Sequence, residues 1–173
     1  MGDSLITVVA ILVAAILMFV FPMLSVAERN DDISQIAVQT ATVEFVDNVR
    51  ATGKMKVEDY DGYIQKLAAT GNSYDIEIER KVLDENPSKK LTWAESTKIG
   101  ENVYYSQYTS QILDELNANG EYLLKEGDII SISVKNTNTT MSQMLRNFFY
   151  TVTGQGTYQV FAQHAGMVLL NGN

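Results

Sequence analysis

Residues 1–32 read MGDSLITVVAILVAAILMFVFPMLSVAERNDD. Residues 4–27 carry no charged side chain, and acidic groups return together at Glu28, Asp31 and Asp32. As a helix, residues 4–27 extend roughly 36 Å at 1.5 Å per residue. That suffices to cross a hydrocarbon core of about 30 Å. Only Ser4, Thr7 and Ser25 soften the run. A helix that is apolar all round needs apolar surroundings all round. One small domain cannot supply them, so lipid or neighbouring copies of the same segment must.

The rival reading is a secretion signal. Small residues at Ser25, Val26 and Ala27, just before Glu28, fit a signal-peptidase site. However, residues 1–4 hold no Lys or Arg, and the apolar run is longer than a signal core. The segment therefore reads as retained, either transmembrane or buried in a filament core. Orientation stays open, because neither flank has the basic excess that decides it. Pro22 removes one backbone donor and should loosen the helix near its end.

Beyond the apolar run the helix continues. ERNDDISQIAVQTATVEFVDNVRATGK, residues 28–54, has no Gly or Pro before Gly53. Ile33, Ile36, Ala37, Thr40, Val43, Val46 and Val49 recur at steps of three and four, one apolar stripe. Glu44, Asp47 and Arg50 fall on the other side, and Gly53-Lys54 is a stop. The chain thus opens with a helix over residues 1–54, greasy in its first half (4–27) and amphipathic in its second (28–54).

The remaining residues, 55–173, read as a small α+β head. A helix is expected over 57–69, with Tyr60, Ile64 and Leu67 on one face. A strand follows over 73–82, Tyr74, Ile76, Ile78 and Val82 alternating with Asp75, Glu77, Glu79 and Lys81. Residues 84–96 read as a loop around Pro87. A helix over 105–117 ends at Asn119-Gly120. A second strand covers 126–134, with Ile130, Ile132 and Val134 inward. Residues 136–140 form a turn and an N-cap for a helix over 141–152, and Gly154 and Gly156 end it. A third strand covers 157–165. The expected head is three-stranded with helices on one side, and strand direction is undecided.

Composition narrows function. The net charge of -8, from 13 basic and 21 acidic residues, argues against nucleic acid. Lys89-Lys90 is the densest basic spot. No cysteine and one histidine exclude disulfides, thiol chemistry and multi-His metal sites within one chain. His164, at the end of an expected strand, has no nucleophile motif beside it. Glu58, Asp59 and Asp61 lack the ligand spacing of a calcium loop and suit a helix start. Glu77 and Glu79 sit on the wet side of a strand. Gly154-Gln155-Gly156 is too short for a phosphate loop. Asn138-Thr139-Thr140 matches a glycosylation acceptor, a pattern common by chance. Tyr104, Tyr105, Tyr108, Tyr150 and Tyr158 are spread over several elements and read as core edges. No catalytic, cofactor-binding or metal-binding constellation emerges, so the chain does not read as an enzyme.

The short polar start, the greasy helix running into an amphipathic one, and the small α+β head resemble type IV pilin-like proteins. Residues 39–67 are closest in tone to small pilin-like proteins of the tight-adherence type. The resemblance covers about the first 54 residues. It implies leader cleavage at Gly2, leaving Asp3 first. Counted from Asp3, Thr7 stands where the family carries a register-setting glutamate. That departure implies a minor or initiating subunit, a related pseudopilin, or a chain left uncut at Gly2. The resemblance further implies a subunit stored in membrane lipid and then assembled with copies of itself or related pilins into a surface filament. Ala10, Ala14 and Ala15 would allow close helix approach, with Pro22 inside the packed segment. Ile33, Ile36, Val43 and Val46 would pin the head to the shaft. The alternative is a single-pass membrane protein whose outer domain binds a ligand or partner.

Overall fold

The structure, a computed structural model, describes residues 2–84, 104–150 and 160–172. Helix α1 spans Gly2–Thr52 and runs unbroken through Pro22. Gly53 ends it, at a positive φ of 69°, where a side chain would collide with the Leu170 carbonyl. The helix end is clamped there. Leu124 N–H donates to the Gly53 carbonyl at 2.8 Å, and Leu169 N–H donates to the Arg50 carbonyl at 2.9 Å.

From that clamp the chain forms β1 (Lys54–Lys56), α2 (Val57–Ala68), β2 (Tyr74–Leu83), β3 (Tyr104–Tyr108) and α3 (Thr109–Asn119). It continues with β4 (Glu121–Leu123), β5 (Ile129–Asn136), α4 (Met141–Tyr150) and β6 (Phe161–Met167). The fold is α+β, a long apolar helix leading into a head built on an antiparallel sheet. The main sheet has four strands in the order β3-β2-β5-β6, every neighbouring pair antiparallel, and β1 pairs with β4 separately.

Strand count and several boundaries differ from expectation, among them the start of β5, at Ile129 rather than 126, because residues 126–128 form a turn. Residues 105–108 form a strand, because Tyr105, Ser106 and Gln107 pair with Val82, Lys81 and Arg80 of β2. The helix begins only at Thr109, whose hydroxyl accepts the Ile78 N–H at 2.8 Å. The last strand is β6, starting at Phe161 rather than 157, and residues 157–159 lie outside the described ones. The three-residue β1 and β4 are too short to show a period, and a distant partner makes them strands. The 84–96 loop lies outside the described residues except Asp84, as do Gly154 and Gly156.

The core joins α1 to the sheet. Val38, Phe45, Val46 and Val49 meet Ile78, Ile130, Ile132 and Val134, with Tyr63 and Leu67 of α2 and Ile112 and Leu116 of α3. This corrects the expected stripe. Val46 and Val49 are buried and Val43 is half-buried, but Ile33 is 60% and Ile36 65% exposed, so neither pins the head. The buried stripe instead runs through Ala27, Asp31, Ser34, Val38, Ala41, Thr42 and Phe45. Its polar members are satisfied. Ser34 Oγ donates to the Asn30 carbonyl at 2.9 Å, Thr42 Oγ1 to Val38 at 2.7 Å, and Thr42 meets the Tyr63 hydroxyl at 3.0 Å. Burial pushes the Tyr63 phenol up to about 12, keeping it neutral over the ordinary range.

An ion pair lies inside the head. Arg80 shares its side of β2 with Ile78 and Val82, and its guanidinium holds Asp128 Oδ2 (Nε, 2.9 Å), the Tyr122 hydroxyl (2.9 Å) and the Leu123 carbonyl (3.1 Å). The Asp128 carboxylate also accepts the N–H groups of Leu83 (3.1 Å) and Lys125 (2.9 Å). Strands β2 and β4 and the turn before β5 converge on this pair. Arg80→Met strands a carboxylate that is 1% exposed, and we expect a loss of about 3–5 kcal/mol. Arg80→Met with Asp128→Asn recovers part of it. Denaturant unfolding of the detergent-solubilised chain, followed by circular dichroism, measures both.

Candidate membrane and assembly surface

The lower half of α1 touches little of the head. Leu5, Ile6, Val8, Ile11, Leu12 and Phe19 are exposed, Phe19 at 77%. The most apolar window of the helix has a mean hydropathy of 3.0 and none of it is buried. The helix is long and apolar enough to span a membrane. Left in water, each such side chain forgoes about 1.5–3 kcal/mol of burial. Ala10, Ala14 and Ala15 lie exposed within this segment, with Ala10 and Ala14 one turn apart. Pro22 is also exposed. Lacking an N–H, it leaves the Met18 carbonyl without its intrahelical donor and open to a neighbour.

Gly2 and Asp3 occupy the first turn. Thr7 Oγ1 donates to the Asp3 carbonyl at 2.8 Å, so this hydroxyl is engaged within its own helix. A carboxylate at Asp3 suits a helix N-terminus.

From Val26 upward the apolar exposure narrows to a stripe. Val26, Ile33, Ile36, Ala37 and Thr40 are exposed, and Val43 borders them. At about 100° per residue they lie roughly opposite the stripe that enters the core. One face of α1 is covered by the head, and the other continues the apolar surface upward from the lower segment.

The boundary is marked by polar ties to α4. Arg146 donates from Nε to Glu28 Oε1 at 3.0 Å. Asp31, buried on α1, accepts from Thr140 Oγ1 at 2.8 Å and from Ser142 Oγ. Thr140 caps α4 reciprocally with Gln143, which accepts the Thr140 N–H at 3.1 Å and donates its own N–H at 3.3 Å. The expectation of an N-cap at Thr140 is met.

The other candidates fall elsewhere. His164 lies within β6 rather than at its end, with Nε2 3.2 Å from Asp47 Oδ1, while Arg50 donates to the same oxygen at 2.8 Å. The hydrogen bond from His164 holds the Asp47 carboxyl below its usual range. A depressed carboxylate contributes stability above its ordinary pKa, lost as pH falls through the folded value. The pair joins α1 to β6. Glu58 and Asp59 line an α1–α2 groove of about 300 Å³ with Glu44, Phe45, Tyr63 and Lys66. Lys66 bridges to Glu44 there at 2.7 Å. Glu79 accepts from Ser106 at 2.7 Å on the outer sheet face. The Asn138 amide ties two turns, accepting from Ser73 N–H at 2.8 Å and donating to Asn72 at 3.0 Å. Among the described residues no group of three or more His, Asp or Glu could hold a metal. Tyr104, Tyr105 and Tyr108 lie on edge strand β3. Tyr158 and the Tyr150 side chain lie outside the described ones.

The two apolar stripes are separable by experiment. Ile36→Asp should leave the head's unfolding midpoint within about 0.5 kcal/mol of the parent. Val38→Asp, two residues on and on the opposite, buried face, should abolish cooperative unfolding. Equal losses from both would restore the original stripe.

Comparison with protein-family models, with curated proteins and with solved structures returns no match.

Proposed function

We propose that the chain is the structural subunit of a type IV pilin-like filament or pseudopilus, stored in a membrane through residues 4–27 and assembled by packing of α1. The carrying observation is the apolar surface of α1, which is exposed over most of its circumference below Ala27 and continues upward as a stripe away from the head. A helix serving only as an anchor needs the first part and not the second.

In the stored subunit, lipid surrounds residues 4–27. On assembly the same surface meets neighbouring helices, so apolar area stays covered in both states and the hydrophobic term nearly cancels. Close packing then decides. Ala10, Ala14 and Ala15 let backbones approach. Ile33, Ile36 and Val43 extend the contact above the lipid. A repeating heterologous contact of this kind grows a helical polymer rather than a closed ring. With acidic groups in excess, the partners are lipid and copies of the chain or related subunits, not nucleic acid.

The α1–α2 groove favours a second reading, a single-pass membrane protein whose head binds a partner. The two differ in where the chain is found. A filament subunit appears in material sheared from the cell surface without detergent, and a solitary anchor stays in the membrane fraction.

Ala14→Trp tests the packing directly. The ring is welcome in lipid, so membrane insertion should equal that of the parent, while sheared filaments disappear. Normal filaments carrying Trp at that position would contradict assembly by close helix approach.

A further inference from the structure

Helix α4 is built inside out. An amphipathic helix of a water-soluble domain turns its apolar face to the core. Here Ser142 and Gln143 are buried, and Arg146 reaches Glu28 of α1. Met141 and Met144 instead face outward, 53% and 55% exposed, with Leu145 half-buried beside them. Ser142, Gln143 and Arg146 are held to the protein, while Met141 and Met144, with Asn147 beside them, are offered outward.

The position of α4 identifies what that is. Its two polar ties reach Glu28 and Asp31, within about one turn of Ala27, where the apolar run of α1 ends. On the same side of α1 as Ala27, the residues Leu24, Val20 and Leu17 are half-buried, so cover on that face reaches below the first charged residue. With residues 4–27 across a bilayer, α4 therefore stands at the level of the headgroups and the upper acyl chains. An amphipathic helix settles there with its apolar face about 5–10 Å into that boundary. Methionine side chains are flexible enough to mix with lipid. The charge of Arg146 is paired with Glu28, which lowers the cost of holding it near hydrocarbon.

We propose that α4 is a second membrane contact, an interfacial helix that seats the head on the lipid surface beside the spanning helix. This inference rests on the membrane placement of residues 4–27. A second point of attachment fixes the rotation of the head about the spanning helix, which a single span leaves free. Release of α4 from lipid then accompanies extraction of the subunit.

The chain has no cysteine, so single labels are unambiguous. The full chain carrying Met144→Cys, Leu12→Cys or Ser110→Cys is labelled with a small fluorophore. Each is reconstituted in phosphatidylcholine–phosphatidylglycerol vesicles whose acyl chains carry bromine near the headgroup or near the chain end. The expected result is loss of fluorescence at position 144 with the shallow quencher and at position 12 with the deep one, and none at position 110. Quenching at position 12 without quenching at 144 would overturn the interfacial role of α4 and leave the spanning helix intact. Crosslinking through position 144 between copies, again without quenching, would assign the face to a second subunit and also overturn it. No quenching at position 12 would remove the membrane placement and the inference with it.

Discussion

A single uninterrupted helix passes from surroundings that must be apolar into the core of a domain that faces water. Every other feature of the molecule accommodates that constraint. Backbone hydrogen bonding continues through Gly2–Thr52, so rod and head share one rigid element rather than meeting at a linker. At its upper end the rod is locked by Gly53, β4 and the C-terminal segment. Halfway along, Gln35 behaves as an added strand partner, accepting the Phe161 N–H at 3.0 Å and donating to its carbonyl at 2.6 Å. The head is thus fastened to α1 along most of the helix above Ala27, and a force on the rod is a force on the head.

That fastening is more polar than its position suggests. Asp31, Ser34 and Thr42 lie in the buried stripe, and a buried polar group is tolerable only when bonded. Each one is. The effect is to tie the head to α1 in one register while an opposite stripe, Ile33, Ile36 and Ala37, stays exposed. A purely apolar inner stripe would have left the two faces interchangeable.

Much of this was legible in residue order. The unbroken helix, its stop at Gly53, the alternation of β2 and β5, and the cap at Thr140 all rest on local patterns with clear periods. What escaped reading depends on distant partners. The stripe was misassigned because counting apolar residues favours Ile33 and Ile36 over a face containing Asp31, Ser34 and Thr42, whose hydrogen bonds only the fold supplies. Residues 105–108 were read as helix because Tyr108 fits a helical spacing, yet pairing with β2 outweighs it. Arg80 was visible as a charge on the inward side of β2, between Ile78 and Val82. That parity was the available signal for a buried pair, and its partner Asp128 lay too far along the chain to be named. For the candidate surface, residues 4–27 were evident at once. The inverted packing of α4 required knowing which of its sides met Glu28 and Asp31.

On the reading proposed above, the apolar half of α1 persists in the working protein and resides against lipid or its own kind. Intact-mass measurement and N-terminal sequencing of the chain isolated from its native cells test this most directly. The account predicts a chain starting at Met1, Gly2 or Asp3, recovered with membranes or surface filaments. A freely soluble, monomeric chain starting at Glu28 would contradict it.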